Sequence, residues 1–315
     1  MNSKKRSGKG VEDISHLFLS GSVAAPAFNR MSPTARKFGE AVTLRTRVWL
    51  TLGLVPRLPS AFFTANLAVE LARCGRQVLV IETSPLPALD KVFGIAQIQP
   101  SLNDLLEQSQ KQIVLDGPMG MKILSFRLCP DELRGFALEE QQILSQILRQ
   151  EEDKAEQILI HAAYEENPSF EIWAKLGQGV ILSVDLNADT VLQTYQVCKH
   201  LFHLNPGLRI GILGFGRQNK EGWAACMNKL SEAVTRFLGK TLEWFGMIPE
   251  DPLIDRSIAA KVPLALLDHT AQASVGFSAA ARNLQPEKGM ASIRPGVAYS
   301  FFDGLRRTAD LVEEI

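Results

Sequence analysis

Cysteine is scarce in this chain. Cys74, Cys129, Cys198 and Cys226 are spread through 315 residues and form no CxxC pair. Neither a disulfide framework nor a cysteine-based metal site is expected, and free thiols in a reducing compartment are the simplest reading. No apolar run reaches the roughly eighteen residues that a membrane-spanning helix needs. Lys4, Lys5, Arg6 and Lys9 are not followed by the apolar core of a signal peptide. A cytoplasmic protein is therefore expected. Net charge is missing too, since 34 Lys and Arg are matched by 34 Asp and Glu. Without a broad field of one sign there is little to draw the protein to nucleic acid or to an anionic membrane. No nucleic-acid partner is expected.

What remains is enough apolar sequence, 46% of the chain, for a substantial core. Short unbroken apolar runs alternate with amphipathic stretches from about residue 47 onward. RVWLTLG, QVLVIE, MKILSF, QILIHAA, QGVILSVD and LRIGILGF read as strands. TANLAVELARCG, SLNDLLEQ, the charged DELRGFALEEQQILSQILRQEEDKAEQ, ADTVLQTYQVCKHLFHL and KEGWAACMNKLSEAVTRFLG read as helices. Strands apolar on both faces and separated by helices predict a doubly wound α/β domain with a mostly parallel sheet covered on both sides. The expected organisation is an appendage over residues 1–46, the α/β domain over 47–284, and a linker with a C-terminal amphipathic helix over 285–315.

Both ends carry candidate contact residues. Ile14, Leu17 and Phe18 fall at helical spacing within VEDISHLFLSG, and a partner-docking segment and a helix packed on the parent domain both fit. In FFDGLRRTADLVEEI, Phe301, Phe302 and Leu305 share a face with Val312 and Ile315. Asp303, Asp310, Glu313 and Glu314 oppose Arg306 and Arg307 on the polar side, so an anionic lipid gains little there. Docking on the chain's own domain or on a protein partner is expected ahead of peripheral membrane contact.

The junction GLVPRLPSAFFTANLAVELARCG, Gly53–Gly75, is the informative one. The order of RVWLTLG, Ala65-Asn66-Leu67-Ala68, GRQVLVIETSP, ALDKVFGI and SLNDLLE resembles the MinD/ParA family of P-loop ATPases, in particular its flagellar-number and cellulose-synthesis accessory branch. LGKTLEWFGMIPEDPLIDRSIAAKVPLALLDHTAQASVGFSAAARNL, Leu238–Leu284, resembles the last strand and helices of that family. The resemblance implies a P-loop NTPase-like fold over about three quarters of the chain.

It also implies a phosphate site whose residues have been replaced. Counted back from Ala65, the family's phosphate-binding lysine falls on Ser60 and its magnesium-ligating threonine on Ala61. The second lysine falls on Val55, and the loop glycines fall on Pro56, Arg57 and Pro59. Glycines let backbone N–H groups turn inward around phosphate, lysine neutralises charge and a hydroxyl holds Mg²⁺. Proline has no N–H to give and alanine cannot coordinate a metal. The acidic positions of the family hold Glu82, Ser84 and His161. Glu82 could still accept a proton or bind a cation. His161 reads as a satisfied structural histidine, since no second ligand stands at motif spacing. Phe62 and Phe63 are read as covering the vacant pocket or making an interface, with core packing as the plainer alternative. Gly214 and Gly216 suit a turn and do not form a dinucleotide fingerprint.

The expectation is a pseudo-ATPase with no catalytic residues, cofactor or metal, working as a protein-binding scaffold or regulator. Its partner would be an active relative of the same family or a component of a motility or polysaccharide-secretion machine, and a homodimer is compatible. The competing class is an atypical nucleotide enzyme using Glu82 and Arg57 in a rebuilt site. No nucleophile–base pair is visible in the sequence to support it.

Overall fold

The computed structural model describes residues 47–84, 88–95, 98–99, 113–129, 138–164, 168–185, 187–217, 220–284, 301–302 and 304. Ile14, Leu17, Phe18 and Leu305, and the helix expected at Ser101–Gln108, lie outside the described residues.

Eight strands form one sheet. They are β1 (Arg47–Leu54), β2 (Val78–Glu82), β3 (Val114–Asp116), β4 (Lys122–Leu124), β5 (Gln157–His161), β6 (Gly179–Asp185), β7 (Arg209–Gly216) and β8 (Glu243–Pro249). Their spatial order is β3-β4-β2-β5-β1-β6-β7-β8. All pairings are parallel except β3 with β4. The helices are α1 (Ser60–Arg73), α2 (Leu89–Phe93), α3 (Leu138–Lys154), α4 (Pro168–Leu176), α5 (Ala188–Leu204), α6 (Lys220–Leu238), α7 (Leu253–Ala260), α8 (Leu264–Leu267) and α9 (Gln272–Asn283). The doubly wound, mostly parallel sheet expected from the alternating pattern is the one observed. The six apolar runs missed two of the eight strands: β8, which entered only through the resemblance over Leu238–Leu284, and β3, whose three half-exposed residues carry no periodicity of their own.

Small residues on the sheet are sockets for large ones. A Cβ on Gly179 would stand 2.2 Å from the Trp49 ring, and one on Gly211 would stand 1.8 Å from the Phe245 ring. Those two rings meet edge to face with centroids 5.5 Å apart. The indole of β1 and the phenyl of β8 therefore cross the backbones of β6 and β7 where no side chain stands in the way.

Helix α1 is buried from Ala61 to Ala72, which an amphipathic surface helix is not. It packs on the sheet on one side and on α8 and α9 on the other. Its polar residues are consequently all partnered. Asn66, fully buried, donates to Phe62 O at 2.8 Å and accepts from Ala265 N–H at 2.9 Å. Arg73 bridges Glu70 Oε1 at 2.8 Å and Ala265 O at 2.7 Å. Asn66→Ala leaves the Ala265 amide unpaired inside the protein and is expected to cost about 1–3 kcal/mol, read as a lower urea midpoint at unchanged m-value.

Two expected contact surfaces are interior. Phe62 and Phe63 are buried and join Phe215 and Phe277 in a ring cluster with centroids 5.5–6.1 Å apart. They belong to the core and are neither a cover over a pocket nor an interface. The reason is that both α1 faces are enclosed, which no single helical wheel reveals. Phe301 and Phe302 are likewise buried, with Phe301 stacked on Trp173 at 6.0 Å and Phe302 edge-on to Phe301 at 5.4 Å. Their N–H groups donate to the Glu152 carboxylate at 2.7 and 3.4 Å, so they dock on the chain's own domain instead of facing a partner. None of the four cysteines is in a disulfide. No helix of the described residues is long and apolar enough to cross a membrane.

Candidate functional site

In an open parallel sheet, ligands sit outside the carboxyl ends of the strands where the chain order reverses. Here that place is the end of β1, which has β5 on one side and β6 on the other. The loop that follows, Val55–Pro59, is closed on itself. Leu58 N–H donates to Val55 O at 3.2 Å, making a turn with Pro56 at its second position, and Phe62 N–H donates to Pro59 O at 2.9 Å. Pro56 and Pro59 contribute no N–H, and Val55 is buried. The single cation of the loop, Arg57, pairs with Glu250 beyond β8 and lies 4.9 Å over the Phe215 ring. Arg217 approaches the other Glu250 oxygen at 3.3 Å. The Arg57 hydrogen bond, aided by the two nearby cations, holds the Glu250 carboxyl below its ordinary pKa.

Behind the loop the three positions flagged in the sequence meet. Ser60 Oγ is 2.7 Å from His161 Nε2, and His161 Nδ1 is 2.7 Å from Glu82 Oε1. The contact follows from strand register. Glu82 and His161 are paired residues at the ends of adjacent parallel strands β2 and β5, so their side chains emerge on one face. Ser60 opens α1, above the end of β1. A Cβ on Gly53 would lie 2.5 Å from the Ser60 Cβ, so only glycine lets the strand and the helix start pass this closely. His161 is pinned through its backbone as well, its carbonyl accepting from Thr83 N–H at 2.9 Å and Thr83 Oγ1 at 2.8 Å.

Glu82 has no exposed surface and no acceptor capacity left idle. Besides His161, its oxygens accept from Ser84 N–H at 2.9 Å, Ala88 N–H at 3.0 Å and Leu89 N–H at 3.3 Å. The last two are the N-terminal amides of α2, where a negative charge is favoured. Burial works to raise the Glu82 pKa. The His161 charge, the His161 hydrogen bond and the backbone donors outweigh it, and the carboxyl is held below the ordinary range. Ser84, at the family's second acidic position, offers its amide to this carboxylate. Below them Thr51 and Thr64 share a hydrogen bond of 2.7 Å, tying β1 to α1.

These groups do not fit a magnesium–phosphate ligand. The position that the family resemblance gives to lysine holds a serine already bonded to His161, and Ala61 has no side-chain oxygen to offer. Glu82 is fully committed to N–H donors. Among the described residues no group of three His, Cys, Asp or Glu stands ready to hold a metal.

A cleft of about 600 Å³ opens on the other side of Arg57, at the ends of β6, β7 and β8, lined by Arg57, Asp185, Gly216, Arg217, Trp223 and Glu250 among others. Gly216 ends β7 at φ 142°, a conformation that glycine supplies and that keeps the floor next to Asp185 and Trp223 open. The sequence singled out Gly216 and Arg57 separately. It did not find Asp185, Arg217 or Glu250, which only the strand order brings together. Nor did it find the pairing of Ser60 with His161, although the ends of the strands it did find would have placed them side by side once β1, β2 and β5 were known to be neighbours.

No family model matches the chain. It is 24% identical to an uncharacterized ATP-binding protein of Methanocaldococcus jannaschii over 65% of its own length and 74% of that protein. It is 21% identical to Antiactivator FleN of Pseudomonas aeruginosa over 70% of its own length and 80% of that protein. The septum site-determining protein MinD of Pyrococcus horikoshii, solved in complex with Mg-ADP, superposes with a TM-score of 0.58 at 20% identity, covering 79% of this chain and 100% of MinD. Strand order, crossover pattern and these likenesses together give the chain the fold of the MinD/ParA-like P-loop ATPases.

Proposed function

We propose that the protein is a MinD-like pseudo-ATPase, a nucleotide-independent scaffold or regulator that works by binding another protein. The observation that carries this reading is the closed loop after β1. Two of its five residues lack an N–H, the Leu58 amide is turned back on Val55, and its one cation is held by Glu250. Within Val55–Pro59 a phosphate would meet neither an amide nest nor a free positive charge. The likeness to an antiactivator supports a regulatory role in a bacterial cell-surface assembly, flagellar or polysaccharide-secreting, with the protein on the cytoplasmic side and any membrane contact made through its partner. Without nucleotide to switch it, self-association would be constitutive, or the protein would pair with an active relative of the same family.

The rival reading, a hydrolase built on Glu82 and Arg57, asks for two groups that are already engaged. Calorimetric titration of the full chain with Mg-ATP and Mg-ADP separates the two. No heat at about 1 mM ligand, where even a binding free energy near −4 kcal/mol would register, is the expected result. Binding in the micromolar range would overturn the pseudo-ATPase reading.

A further inference from the structure

We propose that Ser60, His161 and Glu82 form a nucleophilic relay, and that Ser60 Oγ accepts an acyl group from a small activated ester. The inference does not depend on whether nucleotide binds. It rests on four observations.

The distances are those of a working triad, 2.7 Å from Ser60 Oγ to His161 Nε2 and 2.7 Å from His161 Nδ1 to Glu82 Oε1. The order of burial is also that of a triad. Glu82 is 0% exposed and His161 2%, while Ser60 alone reaches solvent. The ring is oriented: Nδ1 faces a carboxylate that only accepts and so carries a proton, which leaves Nε2 as the nitrogen that faces the serine hydroxyl and can take its proton. Finally, Ser60 stands at a strand–turn–helix junction and opens a helix of 14 residues. The N–H groups of Ser60 and Ala61 have no acceptor among the described residues, and no side chain caps this end. The amide that follows the nucleophile, at the positive end of a helix, is where an acyl oxygen gains negative charge in hydrolases of this kind.

The step balances without a co-reactant other than water. His161 Nε2 takes the Ser60 hydroxyl proton as Oγ bonds to the acyl carbon. The ester C–O bond breaks, and the imidazolium returns that proton to the departing alkoxide, releasing an alcohol. Water then attacks the acyl-serine by the same route, freeing the carboxylic acid and restoring Ser60. Glu82 acts through His161 and is a positioning residue.

The test is labelling of the intact, nucleotide-free chain with a fluorophosphonate, read by mass spectrometry. One adduct on Ser60 is expected, absent from Ser60→Ala and slowed at least about 100-fold in His161→Gln, the lower bound of a general-base contribution. No adduct on folded wild-type protein, or equal labelling of Ser60→Ala, overturns the proposal. Because His161→Gln disturbs a buried cluster, Ser60→Cys supplies a second reading. Its thiol should react with iodoacetamide faster than the exposed Cys74, since His161 draws off the proton. Slower reaction than Cys74 overturns the relay.

Discussion

Glu82→Ala is expected to destabilise the protein by at least about 3 kcal/mol, since each buried donor left without its acceptor costs about 1–3 kcal/mol. The substitution strips His161 Nδ1, Ser84 N–H, Ala88 N–H and Leu89 N–H of their shared acceptor. None of them can turn to water, because the carboxylate they surround has no exposed surface. Glu82→Gln keeps the volume and one acceptor oxygen but sets an NH₂ against backbone donors, so its loss should be smaller than that of alanine.

The pH dependence has a definite sign. The folded-state pKa of Glu82 is depressed, so protons bind the unfolded chain more readily than the folded one. The stabilisation is fully present above the unfolded value of about 4.3 and is lost as pH falls below it through the folded value. Denaturant titrations from neutral pH downward should show wild type losing stability in that acid window. Glu82→Gln should lack this component. A wild-type curve that stays flat below pH 4.3 would contradict the placement of an ionised carboxylate here.

Phe62→Ala is the second large effect, about 3–5 kcal/mol, with the cavity left by the ring added to its lost transfer energy. Phe62 has no exposed surface, and its ring meets Phe63 at 5.5 Å and Phe277 at 5.7 Å. Through Phe63 the cluster reaches Phe215, over which Arg57 lies. A hole at Phe62 should therefore also loosen the loop after β1, seen as faster amide exchange at Arg57 and Leu58. An interface residue would behave in the opposite way, with unfolding unchanged and self-association altered. Urea unfolding together with sedimentation of the variant distinguishes the two.

The same residue shows how far the sequence is legible. Strands that are apolar throughout announce a covered parallel sheet, and the spacing of the strands and helices matches the observed order closely. Helix α1 carries its polar residues Thr64, Asn66 and Glu70 inward, so a reading by amphipathicity assigns it a solvent face it does not have. Asn66 makes sense only once Ala265 is known to stand opposite. The site divides the same way. Each of Ser60, Glu82 and His161 was locatable by position, but their hydrogen-bonded chain depends on register between strands 79 residues apart. Sequence distance hides what sheet topology makes adjacent.

The bond between Asn66 and Ala265 has a consequence for how the chain is made. Its two ends are separated by 199 residues. A ribosome adding about 5–20 residues per second needs roughly 10–40 s to deliver the second after the first. Through that interval the nascent chain holds a helix whose face toward α8 and α9 is uncovered, with Asn66 lacking its Ala265 partner and Phe62 and Phe63 lacking Phe277. The domain cannot close around its first helix until its last ones emerge from the exit tunnel, which makes the growing polypeptide a client for whatever shields hydrophobic segments during synthesis.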